Sequence, residues 1–406
     1  MNNVFAKFRA MPKDVLVQSA HFYLLILLAS SAGLASARAQ TPRHTEVSIR
    51  GDDFYINGQP TYAGRSWNGY RIEGLLLNAR MVQGIFDDSN PQTVSRWNYP
   101  DTHRWDPDRN TNEFIAAMPD WRKHGLLAFT LNLQGGSPEG YSHGQPWRNS
   151  AFNPDGSLRP EYLARLSRIL DRADELGMVV ILGYFYQAQD RVLTNETAVL
   201  NAVDNATGWI LDHDYRNVIV EINNECDQHY VNPILRPDRV HELITRVRNT
   251  AHGPFHLLAG TSYSGPVPNR DVVDASDLIL VHGNGVKDPA RITASVQQIR
   301  TMCAEPKPVV FNEDDNYVFD RPQNNFLAAL SQHASWGYFD YRRKGEAFTE
   351  GFQCVPVDWT INSNRKRIFF NMVSEVTGEL HGKQQSVADD LQKELKASAR
   401  EQARPD

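Results

Sequence analysis

The chain has 406 residues, of which 41% are hydrophobic and 22% charged, with a formal net charge of −6. These proportions belong to a folded globular protein and exclude a disordered chain, a fibrous repeat or a polytopic membrane protein. The acidic balance offers no basic face, so nucleic acid is not expected as a partner. Three cysteines, Cys226, Cys303 and Cys354, are too few for a disulfide scaffold, and an odd count leaves at least one free.

The N-terminus reads as an address. Lys7, Arg9 and Lys13 form a basic segment, residues 22–28 a short apolar core, and Ala35/Ala37 and Ala37/Ala39 two small-x-small cleavage sites. This is the pattern of a secretory signal peptide over 1–39. Its apolar run is too short to span a bilayer. The mature chain is therefore expected to be secreted or periplasmic, with no stable membrane insertion.

A small hairpin follows, marked by Asn57-Gly58 between two apolar runs. Strand and helix patterns then alternate. Strands are expected at 61–65, 126–133, 179–184, 218–223, 256–259, 278–282, 309–312 and 337–341, most of them continuous apolar runs, as strands buried on both faces should be. Helices are expected at 112–124, 160–176, 196–211, 237–249, 289–302 and 321–334. Pro160 near the start of one of them and Gly177 just past its end obey the usual terminal asymmetry. The connection 261–277 is too short to promise a helix.

Eight strands alternating with helices argue for a single α/β domain, a (β/α)8 barrel over 40–376, with a charged helical or disordered tail at 377–406. A doubly wound sheet is the alternative, but no glycine-rich phosphate turn follows any strand. The first βα loop, 66–108, is unusually long and carries Trp67, Arg80, Trp97 and Trp105. It reads equally as a binding wall or as an insertion closing the barrel end.

Barrel enzymes place their chemistry at the C-terminal ends of the strands. Two ends stand out. The fourth strand runs into Asn224-Glu225 and the seventh into Asn312-Glu313. The chain between the two glutamates fits three βα units of about 30 residues each. Charged groups at the edge of a buried strand are costly unless paired or used. Two facing carboxyls suit glycoside hydrolysis, one as nucleophile and the other as acid and then base. Two such groups cannot both ionise cheaply, so one pKa should rise and the other fall. The expected order puts the higher value on Glu225.

Glu221-x-x-Asn224-Glu225 resembles the strand-four motif of clan A glycoside hydrolases, especially the cellulase-like family 5. Residues 308–313 resemble that family's nucleophile segment, Val281-His282 its His-x-Tyr segment, and residues 334–340 its strand-eight Trp segment. The resemblance covers roughly 54–370. It implies Glu225 as acid/base, Glu313 as nucleophile and Asn224 as a substrate-binding residue. Departures are visible. Cys226 stands where the family has Pro, and Asn284 where it has Tyr. Strand two lacks the usual Arg, and strand three the usual His.

The remaining candidates are His282 and Asn284 beside the carboxyls, Tyr184, Tyr186 and Gln187 at the end of strand three, and Trp336 and Tyr338 as a sugar platform. Trp336 and Tyr338 share one face of strand eight. Arg65 and Trp67, at the end of the first expected strand, complete the set. No ligand pattern for a metal occurs, and no cofactor is expected. The substrate implied is an oligo- or polysaccharide. A catalytically inactive glycan-binding barrel and a transglycosylase are the alternatives.

Overall fold

The computed structural model describes residues 43–379 except 143, 266, 317 and 320. The expected signal peptide, and the tail beyond 379, lie outside the described residues. Eight parallel strands form one sheet: β1 (Asn78–Arg80), β2 (Ala128–Asn132), β3 (Val179–Phe185), β4 (Val218–Asn223), β5 (Leu258–Gly260), β6 (Ile279–His282), β7 (Val309–Asp314) and β8 (Ser335–Tyr338). Helices intervene: α1 (Pro107–Lys123), α2 (Pro160–Leu176), α3 (Glu196–Asp212), α4 (Val240–Asn249), α5 (Arg270–Ala275), α6 (Pro289–Met302), α7 (Asn325–Ser331) and α8 (Asn364–Thr377). The strand order is β5-β4-β3-β2-β1-β8-β7-β6. The fold is a (β/α)8 barrel. Its ladder is open between β5 and β6, where the Asp277 N–H still donates to the Ala259 carbonyl at 2.9 Å.

Local sequence explains the elements. Pro160 opens α2, and Gly177 closes it in the left-handed conformation at φ +67. Asp106 caps α1 by accepting from the Arg109 N–H, with Pro107 at the first turn. The short connection after β5 does hold a helix, the six-residue α5. Cys226, Cys303 and Cys354 are all free.

The first barrel strand departs from expectation. It is Asn78–Arg80, not 61–65. Residues 61–65 form turns at the opposite end of the barrel, where Thr61 bonds to the carbonyls of Phe54 and Leu75. The reason lies in what β1 points inward. Asn78 and Arg80 are both buried polar residues, so the strand lacks the apolar run that marks its neighbours. The long first βα loop accordingly runs 81–106. Its aromatics pack on one another, with Phe86 edge-on to both Trp97 and Trp105.

The N-terminal strands Val47–Arg50, Asp53–Ile56 and Gln59–Pro60 form an antiparallel sheet turned by Asn57 and Gly58, both at positive φ. Val47 and Phe54 join Leu76, Val179, Ile219, Leu278 and Val310 in one buried cluster. They plug the N-terminal end of the barrel. Polar side chains fill the other end.

Two glycines make room for those polar residues. A Cβ at Gly337 on β8 would collide with Asn78 Oδ1 and lie 2.7 Å from the Phe311 carbonyl oxygen. One at Gly183 on β3 would collide with Asn132 Oδ1. Gly337→Ala is expected to cost about 1–3 kcal/mol, the usual penalty of overpacking a filled interior. Urea unfolding should show a lower midpoint at unchanged slope.

Candidate active site

Strand ends bring the two glutamates together. Glu313 sits within β7, and Glu225 follows β4. One carboxylate oxygen of each, and one ring nitrogen of His282 from β6, all lie within 4.8 Å of one another. His282 Nδ1 is 3.0 Å from Glu225 Oε1 and 3.6 Å from Glu313 Oε2. Asn284 Nδ2 donates to Glu313 Oε1 at 2.7 Å. Gln187 Nε2 donates to Glu225 Oε2 at 3.4 Å.

Glu225 has left-handed backbone, φ +51, which a glutamate rarely adopts. The surroundings hold it there. Its N–H donates to Ser262 Oγ at 3.0 Å, and the Cys226 N–H to the Ser262 carbonyl at 2.9 Å. The kink turns the carboxyl off the strand line toward His282.

A cation that the sequence reading placed in the long loop proves central. Arg80, on β1, reaches Glu313 Oε2 at 2.7 Å with its side chain 1% exposed. It supplies a basic neighbour from strand one, where strand two has none. The signal that could have revealed it is alternation: Asn78 and Arg80 sit two apart after the apolar run Leu75–Leu77. Glu221, one helical-turn spacing before Glu225 in sequence, was also missed as a site residue. It lies fully buried on β4 and accepts from Asn312 Nδ2 at 3.2 Å across the barrel.

Charges in this cluster are coupled. Burial pushes the Glu313 carboxyl up, and the pull of Arg80 and His282 does not cancel it. Burial pushes Glu225 up as well, but the hydrogen bond and charge of His282 outweigh it and leave Glu225 low. Burial opposes charge on His282, yet Glu313 and Glu225 overcome it and raise its pKa. The order is the reverse of the one expected from the roles. The cause is the short His282–Glu225 contact, which stabilises the Glu225 anion. Behind Glu313, burial pushes Asp314 up to about 7, against hydrogen bonds from Asn316, Trp336 and Asn325.

Glu225, His282 and Glu313 offer three donor atoms that could face a metal ion. The Arg80 guanidinium already occupies Glu313 Oε2, so an added cation there would meet a fixed positive charge.

Of the other expected site residues, Tyr186 and Asn224 stay by the pair and the rest do not. Tyr186 is near the pair, its hydroxyl 2.9 Å from Ser137 Oγ. Asn224 is buried beside Glu225, and its Oδ1 has no hydrogen-bond partner among the described residues. Tyr184 points outward to Thr207 Oγ1 on α3 at 3.1 Å. Trp336 and Tyr338 share a face, but it is the outer one, because Gly337 holds the inward position. Trp336 Nε1 donates to Asp314 Oδ2 at 2.9 Å, and Tyr338 stacks on Phe369 of α8 at 4.4 Å. Both are buried, so neither offers a sugar platform. Arg65 and Trp67 are at the far end of the barrel. Arg65 Nε donates to the Val376 carbonyl at 2.8 Å, and Trp67 Nε1 to Glu375 Oε1 at 3.2 Å, both on α8. The misplaced first strand carried those two residues away from the mouth.

No protein-family model matches the sequence, and no curated protein matches it. Solved structures do. An endo-1,4-beta-mannanase from Rhizomucor miehei superposes with TM-score 0.50 at 10% identity, over 82% of this chain and 99% of that one. The barrel of this chain is similar in fold to that of the mannanase. A putative glycoside hydrolase from Bacteroides vulgatus gives 0.49 at 12% identity, over 83% of this chain, which spans 61% of that protein's length. A glycoside hydrolase family 5 mannosidase from Rhizomucor miehei gives 0.48 at 12%, over 85% of this chain and 99% of that one. At such identities the likeness is one of fold. No helix among the described residues is long and apolar enough to cross a membrane.

Arg80→Met is expected to destabilise the fold by about 3–5 kcal/mol near neutral pH, because it strands a buried carboxylate. Losing the guanidinium raises the already high Glu313 pKa further. Stability of the variant is then retained at acid pH and lost as pH rises through that value. Denaturant unfolding at acid and neutral pH should show the gap to wild type narrowing on acidification.

Proposed function

We propose that this chain is a glycoside hydrolase that cleaves O-glycosidic bonds with retention, through Glu225 and Glu313. The observation that carries the reading is the proximity of the two carboxyls at the ends of β4 and β7, with oxygens within 4.8 Å. Retention uses carboxyls about 5–5.5 Å apart, whereas inversion leaves roughly 6.5–9.5 Å for a water.

Glu313 is the nucleophile. Arg80 and Asn284 each hold one of its oxygens, which fixes the carboxylate for attack on the anomeric carbon. Glu225 is the acid/base. It is the more exposed of the two, with 16% of its side chain open against 7% for Glu313. A bound sugar covers that opening and removes water, which raises the Glu225 pKa toward the protonated form. His282 shares a 3.0 Å contact with Glu225, so the pair together stores the proton that the leaving oxygen needs. Once Glu313 is esterified its charge is gone, and Glu225 becomes the base for the attacking water. The pH limbs of the reaction belong to the Glu225–His282–Glu313 cluster as a whole. The substrate is an oligo- or polysaccharide, and the leader pattern points to action outside the cytoplasm.

Glu313→Gln and Glu225→Gln should each lower turnover of natural glycans by about 10²–10⁴-fold or more. On an aryl glycoside with a good leaving group, azide should restore turnover to Glu225→Ala and not to Glu313→Ala. NMR of the first-formed product should show the substrate's anomeric configuration. Inverted product, or equal unrescued loss in both variants, overturns the assignment.

A further inference from the structure

With Trp336 turned into the core, the mouth lacks the aromatic platform expected from strand eight. Another ring stands in its vicinity. Tyr141, on the loop after β2, is 47% exposed, a rare state for a large aromatic among the described residues. Its hydroxyl reaches Asp315, two residues past Glu313, and Asp315 is held in turn by Gly285, the neighbour of the Asn284 that bonds Glu313, which places the ring beside the carboxyl pair.

The ring is held from several sides. Its hydroxyl donates to Asp315 Oδ2 at 2.9 Å, and the Gly285 N–H donates to Asp315 Oδ1 at 2.8 Å. Phe339 and Tyr341 meet it edge-on at 5.5 and 5.2 Å. Gly140 makes this packing possible. It has φ +96, and a Cβ there would lie 2.7 Å from Tyr341 Cδ2. An exposed ring with a locked hydroxyl loses little freedom when a ligand covers it.

We infer that Tyr141 and Asp315 form a sugar subsite on the rim of the Glu225–Glu313 cleft, with the Tyr141 ring stacking on a neutral pyranose. The inference rests on the reading of this mouth as a carbohydrate site. A pyranose presents an apolar C–H face to an aromatic ring and hydroxyls at its edge to a carboxylate. Asp315 sets a carboxylate at the edge of the ring, so a uronate carboxylate seated there is repelled and a neutral sugar is not.

Calorimetry tests the subsite independently of turnover. The probes are neutral gluco-, manno- and xylo-oligosaccharides and an oligouronate, titrated into wild type and into Glu313→Gln. Binding of a neutral probe should weaken about two- to tenfold in Tyr141→Ala, the worth of one aromatic contact. Tyr141→Phe, which keeps the ring and loses the Asp315 bond, should retain most of it. A neutral probe that binds Tyr141→Ala as tightly as wild type overturns the subsite. So does tighter binding of the oligouronate, or no binding of any neutral probe. Hydrolysis by wild type is scored separately. Activity with Tyr141-independent binding sinks the subsite alone, whereas Tyr141-dependent binding without activity sinks the hydrolase reading alone.

Discussion

Arg80 carries a permanent positive charge into a barrel that leaves it 1% exposed. A charge so placed must be compensated, or the fold loses several kcal/mol. Glu313 supplies the direct partner, and Glu221 and Glu225 add to the field that keeps the guanidinium charged. The rest of the upper barrel follows from this demand. Polar side chains occupy interior positions that the lower half gives to Val, Leu and Ile. Gly183 and Gly337 are bare because Asn132 and Asn78 need their space. Asn312 ties to Glu221 across the barrel, linking β7, which carries Glu313, to β4, which leads to Glu225.

The same compensation explains why the two glutamates differ. Glu313 is gripped by a guanidinium and an amide, whereas Glu225 leans on an imidazole whose own charge depends on pH. One carboxyl has a permanent counter-charge and the other a titratable one. Roles in a two-carboxylate site thus rest on what each group's neighbour can give up. Only the imidazole can exchange a proton in the physiological range.

Much of this was legible in the sequence, for physical reasons. β2, β3, β4, β6 and β7 are apolar because helices cover one face and the packed barrel interior the other, and such runs announce themselves. The two Asn-Glu endings break those runs at the mouth. β1 is hidden by the polar residues it turns inward, so the sequence pattern favours 61–65 and places Arg65 and Trp67 at a strand end. Period-two alternation correctly put Trp336 and Tyr338 on one face, but alternation alone does not say which face is inward. That was decided by Gly337, whose lack of a side chain fits the crowded interior beside Asn78. The same holds for Tyr184, which faces outward because its neighbour Gly183 holds the inward position. The left-handed turn at Glu225 had no sequence signal, since glutamate does not advertise that conformation.

The open ladder between β5 and β6 gives the barrel a seam. Strands on one lip lead back to β4 and Glu225, and strands on the other lead to β7 and Glu313. His282 sits on β6, and its 3.0 Å contact with Glu225 reaches from one lip to the other. Thermal breathing concentrates where backbone pairing is thinnest. Glu225 and His282 are therefore stitches in the wall of the molecule. A substitution at either one also changes how firmly the cylinder stays shut.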